Sequence, residues 1–256
     1  MRRNLKHISS LLDKHETPLA KLWLRKYWII QELYRQQDEM YRTKTRRCDD
    51  RIVSIHQPQV RPIVRGKANK AVEFGAKIGV SLVNGIAFVD RLNWDAYNES
   101  EDLIGQVEAY KNRYGYYPET VAADPIYGTR ENRKWLKEQG IRFAGKPLGR
   151  PPKEASEKKH RREDYRIRIP IEGKFGQGKN GYGLDYIRAK TARTSEAWIR
   201  SIFLVMNLIV FEKMIFWLIK TAMSLRPNRQ NHLFLANISQ KYRSLSKRSI
   251  LSEQNY

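Results

Sequence analysis

The stretch Ala76-Lys-Ile-Gly-Val-Ser-Leu-Val83, then Asn84-Gly85, then Ile86-Ala-Phe-Val89 marks where a sheet begins. Asn-Gly between two apolar runs is a strong hairpin signal, because both central residues of the tight turn need positive φ. Downstream, a helix is expected from about Glu99 to Tyr114, opened by Asn98 or Ser100. A short apolar strand, Thr120-Val-Ala-Ala123, follows and ends on Asp124. The next helix, Glu131 to Gln139, stops at Gly140, and Ile141-Arg-Phe-Ala144 reads as another short strand.

From Gly145 to Arg162 the composition turns to Gly, Pro, Lys, Arg and Glu, which reads as a basic loop extending to about residue 164. Arg166 and Arg168 then alternate with Ile167, Ile169 and Ile171. That period of two predicts extended chain, with Pro170 opening a weak helix that contains Glu172. A long helix is expected at 194–221, capped by Ser195, with residues 197–221 buried as a core helix. Residues 223–256 read as a basic tail. Upstream, residues 52–92 read as extended. Residues 1–47 read as two helices, the first spaced by Leu5, Ile8, Leu11 and Leu12. The second is opened by Thr17-Pro18 and striped with Trp23, Tyr27, Ile30, Tyr34 and Tyr41, a pattern that predicts core. The order is α/β with a mixed sheet and flanking helices, giving a helical segment at 1–47, a domain at 48–222 and the tail.

Composition narrows the partner. The chain has 256 residues and a formal net charge of +22. Self-repulsion on that scale opposes compaction, but each Lys or Arg that neutralises a phosphate releases a counterion, so nucleic acid is the leading partner. No membrane is expected: the uncharged run Ser201–Phe211 lies between Arg200 and the Glu212–Lys213 pair, and a span needs roughly 20 apolar residues. The N-terminus carries no apolar signal-peptide core. The single cysteine, Cys48, excludes a disulfide framework and a cysteine-rich zinc site. A cytoplasmic, nucleoid-associated protein is the expectation.

Asp124 closes a buried-looking strand, where catalytic groups gather in α/β sheets, although Asp-Pro is also ordinary turn chemistry. A second acid belongs to a motif. Tyr165, Arg168, Glu172 and Lys179 fall at the spacings of Y-(2)-R-(3)-E-(6)-K. With Asp124 upstream, and with Pro170-Ile-Glu-Gly-Lys-Phe-Gly-Gln-Gly-Lys179 and Phe203-Leu-Val-Met-Asn-Leu208, the chain resembles the DDE transposases of bacterial insertion sequences. The resemblance covers about Ile52 to Leu208, the later part of their ribonuclease-H-like catalytic domain.

The resemblance implies that Asp124 is the second and Glu172 the third of three acids. These hold two Mg2+ (or Mn2+) ions, for cleavage and strand transfer on double-stranded DNA at transposon ends and target. Two hard cations about 4 Å apart activate the attacking oxygen and stabilise the leaving one, and they take carboxylate ligands. Arg168 and Lys179 would contact phosphates and Tyr165 would position a strand. Independently of the resemblance, Arg150, Lys153, Lys158, Lys159, Arg161 and Arg162 of the basic loop suit phosphate contact without sequence reading, with Gly149-Arg150-Pro151 suited to a narrow minor groove; a plain solvated loop is the alternative. A homo-oligomer is possible in a transposition complex.

The first acid is not evident. It belongs in the middle of the strand before the hairpin, and the candidate there, Arg51-Ile-Val-Ser-Ile55, contains none. Asp49 and Asp50 precede it, and Asp90 follows the hairpin on the wrong element. Residues 1–47 look like a helical insertion that separates the first strand from the rest, which would put the acid upstream of Met1; Asp50 is the alternative. Ribonuclease-H-like but incomplete at its N-terminal side, the chain is then an enzyme inactive alone, or a non-catalytic DNA-binding remnant or inhibitor.

Overall fold

The computed structural model describes residues 1–15, 19–67, 70–146, 148–149, 155–224 and 248–255. Side chains at 64–67, 70–71, 155–163, 223–224 and 248–255 lie outside that description. Two helices open the chain, α1 (Arg2–Lys14) and α2 (Lys21–Thr43). A two-stranded sheet follows, β1 (Arg61–Lys67) against β2 (Lys70–Gly75). Then come β3 (Lys77–Val83), β4 (Ile86–Asn93), α3 (Asp102–Tyr114), β5 (Thr120–Ala122), α4 (Arg130–Glu138) and β6 (Arg142–Ala144). Two long helices, α5 (Ala155–Tyr182) and α6 (Ala192–Ser224), precede β7 (Arg248–Asn255).

The β3–β4 hairpin forms as read. Asn84 and Gly85 both adopt positive φ, at 53° and 83°, which lets Val83 pair with Ile86. Asn98 caps the short 3-10 turn before α3 by accepting from the Ser100 amide, and Gly140 ends α4 with φ 71°. The main sheet is mixed, in the order β4-β3-β7-β5-β6. β3 runs antiparallel to β4 and β7, whereas β5 runs parallel to β6 and β7.

Ile78, Val80 and Leu82 of β3 pack with Ile171 and Phe175 of α5 and with Ile199, Ile202, Phe203 and Met206 of α6. A second cluster joins Leu103 and Val107 of α3 to Val121, Ala123, Tyr127, Leu136 and Ile141. Gln106 of α3 lies over Gly79, so helices cover both faces of β3. This is the layered α/β arrangement that the element order predicts.

Five expectations are corrected. First, residues 155–182 form one α-helix, so the basic loop ends by Ala155 and neither Tyr165 nor Arg168 is extended. Pro170 lies inside that helix, where a missing N–H and a clash with the preceding turn cost about 3 kcal/mol. Full burial of Ile171 and Phe175, with Phe175 edge-on to Phe203, offsets this at about 1.5–3 kcal/mol per side chain. Second, Ser195 is not the cap of α6. Thr191 accepts from the Thr194 amide, and Ser195 lies inside, donating to the Ala189 carbonyl.

Third, α6 is only partly a core helix: Leu204, Leu208, Phe211 and Ile215 to Ile219 are exposed. Ala192–Ala222 is moreover long and apolar enough to cross a membrane, since the uncharged run counted from sequence ignores that one Glu-Lys pair is tolerated in a longer apolar helix. Fourth, the stripe on α2 is not uniformly core, because Tyr27 is buried while Trp23 and Tyr41 are exposed. Thr17 and Pro18 lie outside the described residues, and α2 begins at Lys21. Fifth, residues 248–255 are not tail but the middle strand of the main sheet, and Arg51–Ile55 is not a strand.

Candidate active site

Asp124 follows the last paired residue of β5 by two positions. It precedes a 3-10 turn at Pro125–Tyr127, yet its side chain makes no capping hydrogen bond to that turn. The carboxylate therefore stands beyond the strand end, with 56% of its side-chain surface exposed and its Oδ2 3.8 Å from Nη1 of Arg168. Arg168 lies one turn before Glu172 on α5, and its Nη2 is 3.3 Å from Glu172 Oε1. One guanidinium thus spans the two acids, joining a strand end to a helix 48 positions later (172 − 124).

The single helix changes the motif's geometry. Residues three, four and seven apart share a face, so Tyr165, Arg168, Glu172 and Lys179 lie along one side of α5. Arg168 also sits 5.7 Å from the centre of the exposed Tyr165 ring. Lys174, off that face, is buried and donates to the carbonyls of Gly85 and Met206, which ties α5 to the hairpin and to α6. Burial, with Lys213 nearby, lowers its pKa from the usual lysine value.

The remaining acids do not join the pair. Asp50 sits in a turn with φ 51°, is largely exposed, and faces Arg61 at 3.4 Å. Asp90 lies within β4 rather than after it, and Arg113 Nη2 donates to its Oδ1 at 2.7 Å. Burial raises the Asp90 pKa, against hydrogen bonds from Ser81 and Arg113 that lower it. The place beside β3 that a strand preceding the hairpin would take is occupied by β7. That strand carries one acid, Glu253, in register with Gly79. No signal in sequence marked it, because residues 225–256 show no run of apolar alternation.

Of the basic residues, Arg150 and Lys153 lie outside the described residues. Lys158, Lys159, Arg161 and Arg162 fall on the first turns of α5, with their side chains undescribed. Among the described residues no group of three His, Cys, Asp or Glu could hold a metal ion. Two half-exposed carboxylates already facing one guanidinium fit a pair of divalent ions poorly, since such a pair needs more anionic oxygen than two groups supply.

The domain thus brings a strand-end aspartate and a helix glutamate to one guanidinium in a strongly basic chain. The comparisons give the family: residues 121–209 match the family model described as "Transposase DDE domain". That stretch, which holds Asp124, Tyr165, Arg168, Glu172 and Lys179, is similar to the DDE-superfamily transposases, a family of ribonuclease-H-like fold that acts on DNA with divalent metals. No curated protein and no solved structure matches the chain.

Proposed function

We propose that this chain is a DNA-binding part of a bacterial insertion-sequence transposase. Asp124 and Glu172 are its second and third acids, and by itself it binds duplex DNA without cutting it. The observation that carries the reading is Arg168, whose guanidinium reaches both carboxylates and so gathers them at the C-terminal end of β5. Asp124 and Glu172 would hold Mg2+ or Mn2+ once a third carboxylate joined them, and the ions would activate the attacking oxygen and stabilise the leaving one. Tyr165 and Lys179, on the same face, would orient and hold the phosphate backbone. A cytoplasmic place beside the nucleoid follows from this partner.

The competing reading is a non-catalytic remnant that occupies transposon ends and inhibits an intact enzyme. Both predict DNA binding, and catalysis separates them. The experiment uses labelled duplexes from the two flanks of the chain's own coding sequence, with Mg2+ or Mn2+. The expected result is a gel shift with no strand cleavage. Cleavage restored by a segment that adds a strand with a central Asp, and lost again in Glu172→Ala, supports the enzyme reading. Failure of every such segment leaves the remnant. Robust cleavage by the chain alone refutes the inactive state, and its loss in Asp50→Ala or Glu253→Ala would identify the first acid.

A further inference from the structure

We propose that β7 holds the slot of the strand that would carry the first acid, with Ser252 at that acid's position, so that the chain closes its own sheet one carboxylate short. The inference rests on the transposase reading and names where its missing carboxylate belongs. A strand feeding the β3–β4 hairpin through a short connection would lie beside β3 and antiparallel to it. Among the described residues no strand from before the hairpin enters the main sheet: β1 and β2 form a sheet of their own, and residues 51–55 are not a strand. β7 takes that place in that direction, antiparallel to β3 and parallel to β5.

Register singles out one position on it. Val80 of β3 pairs with Ser252, and Ile78 and Leu82 pair with Gln254 and Ile250. Ile78, Val80 and Leu82 pack against α5 and α6, and cross-strand partners share a face, so position 252 lies on the face that α5 covers. On the other side, Ile250 pairs with Ala122, so two positions further on Ser252 comes level with Asp124, whose backbone is still extended. Neighbouring strands lie about 4.8 Å apart. A carboxylate at 252 would therefore join Asp124 and Glu172 around Arg168, three acids against one guanidinium. Glu253 falls in register with Gly79, which faces Gln106 of α3, so it belongs to the opposite face. Serine brings no charge to position 252, and a strand that did bring one would have to displace β7 from the slot.

The test adds Mn2+ to the full chain and reads bound ion from the loss of its aqueous electron paramagnetic resonance signal. Ser252→Asp should tighten Mn2+ binding by about tenfold or more over wild type, because divalent affinity follows the count of ligand charges. The gain should vanish when Glu172→Ala is added and should not arise in Ser252→Asn, and Glu253→Gln should bind as wild type does. A Ser252→Asp protein that is folded by circular dichroism yet shows no gain overturns the inference, as does a gain that survives Glu172→Ala. Wild type gives a second measurement that needs no variant. The amides of residues 248–255 should be protected from hydrogen exchange as those of β3 are, and exchange at the rate of free chain overturns the inference. Cleavage of duplex DNA is followed on the same samples. Tightened Mn2+ binding without cleavage by Ser252→Asp supports the placement and counts against the transposase reading. No tightening, with cleavage restored by an added segment, overturns the placement and leaves that reading intact.

Discussion

If α5 lies along DNA with its Glu172 side inward, its basic residues must contribute unequally to binding, and helix geometry ranks them. At about 100° per residue, Arg161 lies about 20° from the direction of Glu172, Lys158 about 40° and Arg162 about 80°. Lys159 lies about 140° away, on the far side. Each neutralised phosphate contributes about 0.9 to the slope of log K against log salt. Replacing Lys158, Arg161 and Arg162 together by Ala should therefore shallow the slope by about 2.7. Between about 50 and 200 mM salt, the fall in affinity should shrink by about 40-fold relative to wild type. Lys159→Ala alone should leave the slope unchanged. Fluorescence anisotropy with a labelled duplex, repeated on an unrelated sequence, measures both quantities. A Lys159→Ala effect equal to that of Arg161→Ala would refute the orientation of α5. An unchanged slope in the triple variant would show that this end of the helix does not touch DNA.

Two further outcomes test the fold. Pro170→Ala should raise stability by about 1–3 kcal/mol, because it restores a donor to the carbonyl one turn back and removes a ring clash; calorimetry should show a higher Tm, and a lower one would mean that the turn needs its proline. Asp90 is held above its ordinary pKa of 3.8 by burial, so the folded state binds that proton more tightly than the unfolded state. Stability should fall as pH rises from 3.8 through the folded value, and stay reduced above it, relative to Asp90→Asn. Parallel curves for the two proteins in urea titrations from about pH 3 to 7 would refute this.

The sequence was most legible where a residue has one conformational use. Asn84-Gly85, Asn98 and Gly140 each mark a turn or helix end that forms as expected. Asp124 was placed at a strand end because a short apolar run stops there, and the motif around Glu172 was found by spacing alone. The alternation Arg166 to Ile171 misled because a period of two over six residues also satisfies a helix whose deciding contacts, Ile171 and Phe175 against α6, lie further along. The apolar content of α6 fixed its helicity but not its burial, since its free face is apolar as well. β7 was illegible because strand pairing at this distance in sequence leaves no local signature: Ile250 meets Leu82 on one side and Ala122 on the other.

That last pairing sets an order of assembly. β4 and β3 form one block and β5 and β6 another, and among the described residues the sheet joins them through β7 alone. At about 5–20 residues per second of synthesis, β7 reaches solution seconds after β6. Until then each block exposes a strand edge whose amides and carbonyls lack partners, the kind of edge that pairs with whatever strand is nearest. During that interval the nascent chain is a template for foreign strands, and a chaperone that shields strand edges would act on it before any folded form exists.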